Sequence, residues 1–187
     1  MSVTRTRCTR AGLIACFLLS AVLAACGGDA GGATTYPDGS IAELMAADDR
    51  LDTLMRIIEN DMPPVALDSL ISLDLDITIF APTDDAFAAL PPGTLDALLD
   101  DDNVSDLQLV FDHHVIAMSY SLAELKSKAQ AGDGEVEALA GGSIQLTIVG
   151  GLLEVDEATV IEGDIAAENG VIHVIDEVMI PDSAMDL

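Results

Sequence analysis

The stretch that decides the fold is Thr78-Ile-Phe-Ala-Pro-Thr-Asp-Asp-Ala-Phe-Ala-Ala-Leu-Pro-Pro-Gly-Thr94. An apolar β-prone run stops at a proline, and a threonine and two aspartates stand before the next apolar residues. Ala81, preceding Pro82, is pushed into an extended conformation. Thr83 is placed to cap a short helix through its hydroxyl, and Asp84 and Asp85 fall in its first turn, where the positive dipole end favours anions. Phe87 and Leu90 share one face, and Pro91-Pro92-Gly93 ends the helix. The segment reads as strand, corner and capped helix.

Around this corner the chain alternates helical signals first and strand signals later. Ser40-Ile41-Ala42-Glu43 has the form of a capping box opening a helix. Leu51, Leu54, Met55 and Ile58 repeat the i, i+3, i+4, i+7 spacing of a second helix, which Met62-Pro63-Pro64 breaks. A helical piece over 66–71 leads into a strand over 75–80, and Thr94 is read as the cap of a further short helix. The next helix spans Val104 to His113, with Leu107, Val110 and Phe111 inward, and the run 115–120 reads as a strand. Ser121-Leu122-Ala123-Glu124 is a second capping box, its helix reaching Gln130.

After Gly132-Asp133-Gly134 the period becomes two: Ile144, Leu146 and Ile148 alternate with polar residues, and Gly150-Gly151 turns the chain to Leu153 and Val155. A strand over 159–165 and Asn169-Gly170, a hairpin signal, lead to a last strand closed by Pro181. Helices followed by hairpins, without βαβ alternation, predict an α+β domain over residues 39–181.

The chain's 187 residues suffice for one domain with appendages. Half of them are hydrophobic, so a core can form, yet aromatics are only 3%, so it must be built from aliphatic side chains. Arg5, Arg7 and Arg10 precede an apolar run to Ala25, giving residues 1–25 the order of a signal peptide. The run is short for a membrane span. Its end, Leu23-Ala24-Ala25-Cys26, resembles a bacterial lipoprotein signal, in which the cysteine is acylated and becomes the first mature residue. Residues 26–38 form a Gly-rich tether reaching roughly 20 Å as a flexible coil, and 182–187 form a tail.

With 33 acidic against 7 basic residues the formal net charge is −26, and loss of the three signal arginines takes it to −29. Only Arg50, Arg56, Lys126 and Lys128 remain, which disfavours nucleic acid, and none is expected as a partner. An anionic bilayer repels such a domain, so the lipid must do the anchoring. Self-repulsion of this size is screened by salt, with divalent cations expected as loose counterions. Cys8 and Cys16 leave with the signal and Cys26 is lipidated, so no free thiol remains for catalysis, metal binding or a disulfide.

The order and wording of these pieces resemble the fasciclin domain family. Thr78 to Pro91 is similar to its first signature, a β-run followed by F-A-P-T, acidic residues and A-F. Glu168 to Pro181 is similar to its second, N-G-V-I-H-x-I-D, about ninety residues later. The resemblance implies β-strands in two sheets forming a wedge with short helices at one side, a surface location, and adhesion or matrix contacts without catalysis. It makes Phe80, Ala81, Pro82, Thr83, Asp84, Phe87, His114, Asn169, Gly170 and His173 structural motif residues. His113 stands where the family often carries tyrosine.

Candidate sites for chemistry read as architecture. Asp112-His113-His114 is similar to a phosphoesterase metal motif, but neighbouring helical residues point about 100° apart and cannot share one ion. His114 continues the inner helix face and is expected buried and structural; His113 is expected exposed; His173, in an apolar strand, is expected structural. Asp100-Asp101-Asp102 lacks the ligand spacing of a calcium loop, and Gly141-Gly142-Ser143 is not a nucleophile elbow. No cofactor, metal or catalytic residue is expected. The expected function, with adhesion as the resemblance implies, is a lipid-anchored, outer-membrane or cell-surface adhesion module contacting a surface or matrix protein or glycan. The alternatives are a periplasm-facing placement and a small-ligand-binding or enzymatic envelope protein. Metabolic labelling with a fatty-acid analogue such as alkyne-palmitate is expected to tag the wild type and not Cys26→Ser; equal labelling would remove the anchor.

Overall fold

The computed structural model describes residues 36–181 apart from Asp133, with Asp101 described through its backbone alone. The signal segment 1–25, Cys26, most of the tether and the tail 182–187 lie outside the described residues. The elements run α1 (Ile41–Ala46), α2 (Asp52–Asn60), α3 (Pro64–Ile71), β1 (Ile77–Pro82), α4 (Asp84–Ala89), α5 (Thr94–Leu98), α6 (Val104–His113), β2 (Val115–Ile116), α7 (Leu122–Ala131), β3 (Glu135–Glu137), β4 (Ser143–Val149), β5 (Leu152–Val155), β6 (Ala158–Ala167) and β7 (Gly170–Ile175).

The seven strands follow the order β2-β1-β7-β6-β5-β4-β3. All neighbouring pairs are antiparallel except β1 and β7, which run parallel with Ile79 opposite Ile172 and Phe80 opposite His173. This parallel pair sits between two cores. Ile79, Ala81, Ile172 and Val174 point into a cluster built mainly from α1, α2, α3 and α6. Phe80 and Ile175, one residue out of phase, point into a second cluster with Leu125 of α7 and Ile144, Leu146, Leu153 and Val155 of β4 and β5. Alternation along a strand sends successive side chains to opposite faces, and a strand buried on both faces reads as a continuous apolar run.

The α+β architecture is as expected, and the two sheets are the halves of one folded sheet. β6 belongs to both, pairing with β5 at its start and β7 along the rest, with register shifts between Val160 and Glu162 and between Glu162 and Ile165. Such irregularities bend a strand and increase its twist. The bend lets β4 and β5 reach Phe80 and Ile175 within one core.

Local differences from the sequence reading have local causes. Ser40 caps α1 by accepting from Glu43 N–H, but the Glu43 carboxylate accepts from Gly39 N–H, so the box closes one residue early. The box at Ser121 and Glu124 is complete. Thr94 is the first residue of α5 and not its cap; Gly93, at φ 93°, takes that place without a side-chain bond. The run 115–120 keeps only Val115–Ile116 as strand, because Thr78 Oγ1 donates to Met118 O (2.7 Å) and accepts from Tyr120 N (2.8 Å), drawing the chain away from the ladder.

Asn169-Gly170 joins β6 to β7 as expected, but the two residues between the paired Ala167 and Gly170 are Glu168 and Asn169. Asn169 is fully buried. Its Oδ1 accepts from Ile41 N (2.8 Å), its Nδ2 donates to Leu70 O (2.8 Å), and its carbonyl accepts from Ile77 N (3.2 Å). One residue therefore holds the start of α1, the end of α3 and the start of β1. Gly170 follows at φ 149°, where a Cβ would lie 1.9 Å from Ile77 O. Asn169→Ala, which leaves Ile41 N–H and Leu70 C=O unpaired in the interior, is expected to cost about 3 kcal/mol in denaturant unfolding. Gly170→Ala is expected to lower the yield of folded protein further, since backbone must move; wild-type stability in either variant would refute this account.

Candidate functional site

The corner after β1 is a knot of backbone bonds. Thr83, the N-cap of α4, accepts from Ala86 N through Oγ1 (3.3 Å), while its own N–H donates to Ile175 O (3.2 Å). Asp84 N–H donates to Arg50 O (2.8 Å), and Asp84 Oδ1 accepts from Thr53 N (2.8 Å) in the first turn of α2, whose N-cap Leu51 has no side-chain acceptor. Asp84 thus caps a helix other than its own, a role invisible in local sequence. Ala81 and Pro82 are buried, and Phe87 packs half-buried against the first core.

His114 and His173 are buried, with both nitrogens of each ring engaged. His114 Nδ1 faces Val110 O at 2.7 Å and so carries the proton, leaving Nε2 to accept from Met179 N–H at 3.1 Å. His173 Nε2 faces Tyr120 O at 2.9 Å, and Nδ1 accepts from Asp164 N–H at 3.2 Å. Phe80 stacks on the His173 ring with centroids 5.7 Å apart. Protonating either ring would turn an acceptor toward an N–H. Burial pushes His114 down to about 4, and burial also lowers His173.

His113, expected exposed, is buried: it is the last residue of α6, and its ring lies against the two-residue loop between β5 and β6. Its Nε2 is 3.0 Å from Asp156 Oδ2. Asp156 is held in the left-handed region at φ 55°, which aspartate tolerates. A two-way bond with Gln145 keeps it there: Gln145 N–H donates to Asp156 Oδ1 (2.8 Å) and Asp156 N–H to Gln145 O (2.7 Å). The Asp156 carboxyl is half-buried, which acts to raise its pKa, but the bonds from His113 and Gln145 N–H outweigh burial and hold it below the ordinary value. Among the described residues His113 Nδ1 is buried without a hydrogen-bond partner. Sequence reasoning missed this pair because its members are 43 residues apart; the available signal was an aspartate at the turn between two alternating runs.

The pair borders an open cleft of about 900 Å³. Asp156, Glu157 and Glu177 supply acidic groups to its lining, and Leu109, Ile180 and Pro181 supply apolar wall. A separate apolar cavity of about 40 Å³ lies in the first core beside His114. Among the described residues no three His, Cys, Asp or Glu side chains converge as a metal site. Asp100 Oδ1 accepts from Asp102 N–H (3.2 Å) at a short 3₁₀ turn.

Residues 49–181 match the family model for the Fasciclin domain. The chain belongs to the fasciclin domain family. Protein sll1483 of Synechocystis is 37% identical over 142 residues, covering 76% of this chain and 73% of that one. Human periostin is 31% identical over 148 residues, 78% of this chain but only 16% of periostin. A solved FAS1 domain pair from the insect cell adhesion molecule fasciclin I superposes with a TM-score of 0.67 at 18% identity, covering 79% of this chain and 53% of that one. In this fasciclin domain both motif histidines are tied to backbone. No helix among the described residues is long and apolar enough to cross a membrane.

The buried histidines fix a pH dependence. A folded-state pKa below the unfolded value means the unfolded chain binds more protons between the two. The stability that His114 contributes is therefore complete above its unfolded pKa near 6.5 and falls as pH drops toward about 4. The loss from His114 is expected to reach roughly 2 kcal/mol at pH 5, with His173 acting in the same direction. Chemical denaturation at pH 7, 6 and 5 checks this, together with the His114 ring resonances, which should stay in their neutral position at pH 5.

Proposed function

We propose that this chain is a non-catalytic, lipid-anchored fasciclin protein of the cell surface that mediates adhesion or contacts with envelope or matrix proteins or glycans. The observation that carries the reading is membership of the fasciclin family together with the fold likeness to a cell adhesion molecule. The order Leu23-Ala24-Ala25-Cys26 after an Arg-rich, apolar segment supports a lipid anchor at Cys26, with residues 26–38 as tether to a domain over 39–181. Gly27 is not the aspartate that retains lipoproteins at the inner membrane of Gram-negative cells, which favours the outer membrane in such a host.

The histidine geometry supports the non-catalytic part. A general base needs a nitrogen within reach of a substrate proton. His114 and His173 have spent theirs on backbone partners. The cleft beside His113 favours a second reading, binding of a ligand, and the two are compatible in a binding module.

Deletion of the gene is expected to reduce attachment or biofilm formation several-fold. Complementation by the wild type should restore it and by Cys26→Ser should not. Unchanged attachment on deletion would overturn the adhesion reading.

A further inference from the structure

The cleft beside α6 is lined by acidic groups with no cationic side chain among them. Asp156, Glu157 and Glu177 contribute carboxylates, and among the described residues no lysine or arginine lines it. An acidic lining on so acidic a chain would by itself be a solvated face. What separates this place from the rest is His113, whose side chain is only 7% exposed.

The neighbours of that ring settle what it presents. Asp156 Oδ1 already accepts from Gln145 N–H, and Oδ2 is the atom facing His113 Nε2. An ionised carboxylate only accepts, so Nε2 carries the proton. When the ring is neutral Nδ1 is then an acceptor lone pair, and among the described residues it is buried without a hydrogen-bond partner. It faces Gly142, which also lines the cleft; a Cβ built there would stand 3.6 Å from Nδ1, and glycine supplies none. A buried acceptor left unmade costs free energy that a donor recovers.

We propose that this cleft binds a basic peptide segment, an ammonium or guanidinium group donating to His113 Nδ1 and lying against Asp156 and Glu177. The aliphatic stem of the side chain runs along Leu109 and Ile180, as long cationic side chains do on apolar surface. A small displacement of the Gly141–Gly142 turn admits the donor. The apolar wall and the buried acceptor distinguish the site from the diffuse attraction that a charge of −26 exerts on any polycation.

The inference rests on the reading of the domain as a binding module. Its test is a solution measurement on purified protein, scored separately from attachment of cells. The full chain in detergent is titrated calorimetrically with pentalysine amide and with its ε-acetylated counterpart at 0.15 M salt, a concentration chosen to screen distant charges. One-to-one binding of the free peptide is expected, with the acetylated form silent. Asp156→Asn, which keeps a residue tolerant of positive φ, should weaken binding about tenfold. Asp68→Asn on α3, an equal change of charge at an exposed site off the cleft lining, should change it less than about twofold. Should Asp156→Asn melt early, Glu177→Gln at an exposed position carries the comparison. The ¹⁵N resonance of His113 Nδ1 should move on saturation while those of His114 and His173 stay. Equal weakening by the cleft and control variants, or an unmoved Nδ1 signal at saturation, overturns the proposal.

Discussion

The side-chain amide of Asn169 touches two helices, and its carbonyl touches a strand, that nothing in local sequence would bring together. Its amide oxygen and nitrogen complete the backbone of α1 and α3, and its carbonyl starts the ladder of β1. The next residue must then pass so close to Ile77 O that only glycine fits. From that point β1 and β7 run in parallel through six register pairs, and both cores are defined by the two faces of this pair. β1 and β7 are about ninety residues apart in sequence, so their pairing closes a long loop before it returns any energy. Buried donors and acceptors that find no other partner make the arrangement specific as well as stable.

A domain with so few aromatic side chains has to place them well. Phe80 is fully buried on the second-core face of β1, and its stacking partner is His173 on the neighbouring strand. The histidine is acceptable there because Tyr120 O and Asp164 N–H satisfy both its nitrogens. Asp164, at φ 60°, in turn accepts from Leu122 N–H at the start of α7 through Oδ1 (2.6 Å). Gly163 beside it has no room for a side chain, since a Cβ would meet His173 Nδ1 at 2.9 Å. A ring, an aspartate at positive φ and a glycine thus form one unit that fastens α7 to the sheet.

The parts of this fold that were legible in sequence are those governed by nearest neighbours along the chain. The capping box at Ser121, the helix over Val104 to His113, the corner at Thr83 and the alternation in β4 follow from propensity and period, and the structure places them there. Asn169-Gly170 was legible as a chain reversal but not as a buried tie, because turn statistics describe the backbone and say nothing of where an amide points. His113 was misread for the same reason. It lies beyond the apolar face of its own helix, which suggests solvent, but the loop at Asp156 comes to cover it from 43 residues away. Asp84 capping α2 belongs to the same class: the acceptor and the helix it serves are separate in sequence.

The two histidines at the end of α6 show how adjacent residues come to serve different purposes. His114 turns inward and exhausts both nitrogens on Val110 and Met179, so substituting any other partner would break an existing bond. His113, rotated about a hundred degrees around the helix, spends one nitrogen on Asp156 and keeps the other beside a glycine. Structural histidines are recognised by this saturation, and it follows that motif resemblance alone is a poor guide to where such a domain binds. The residues that carry the family signature are the ones whose polar atoms are already committed, while an uncommitted atom is found at a position where the chain departs from the family pattern. In a domain whose surface is dominated by carboxylates, the proposed binding has charge set a partner's direction of approach, and a buried acceptor beside an apolar wall set where it stops.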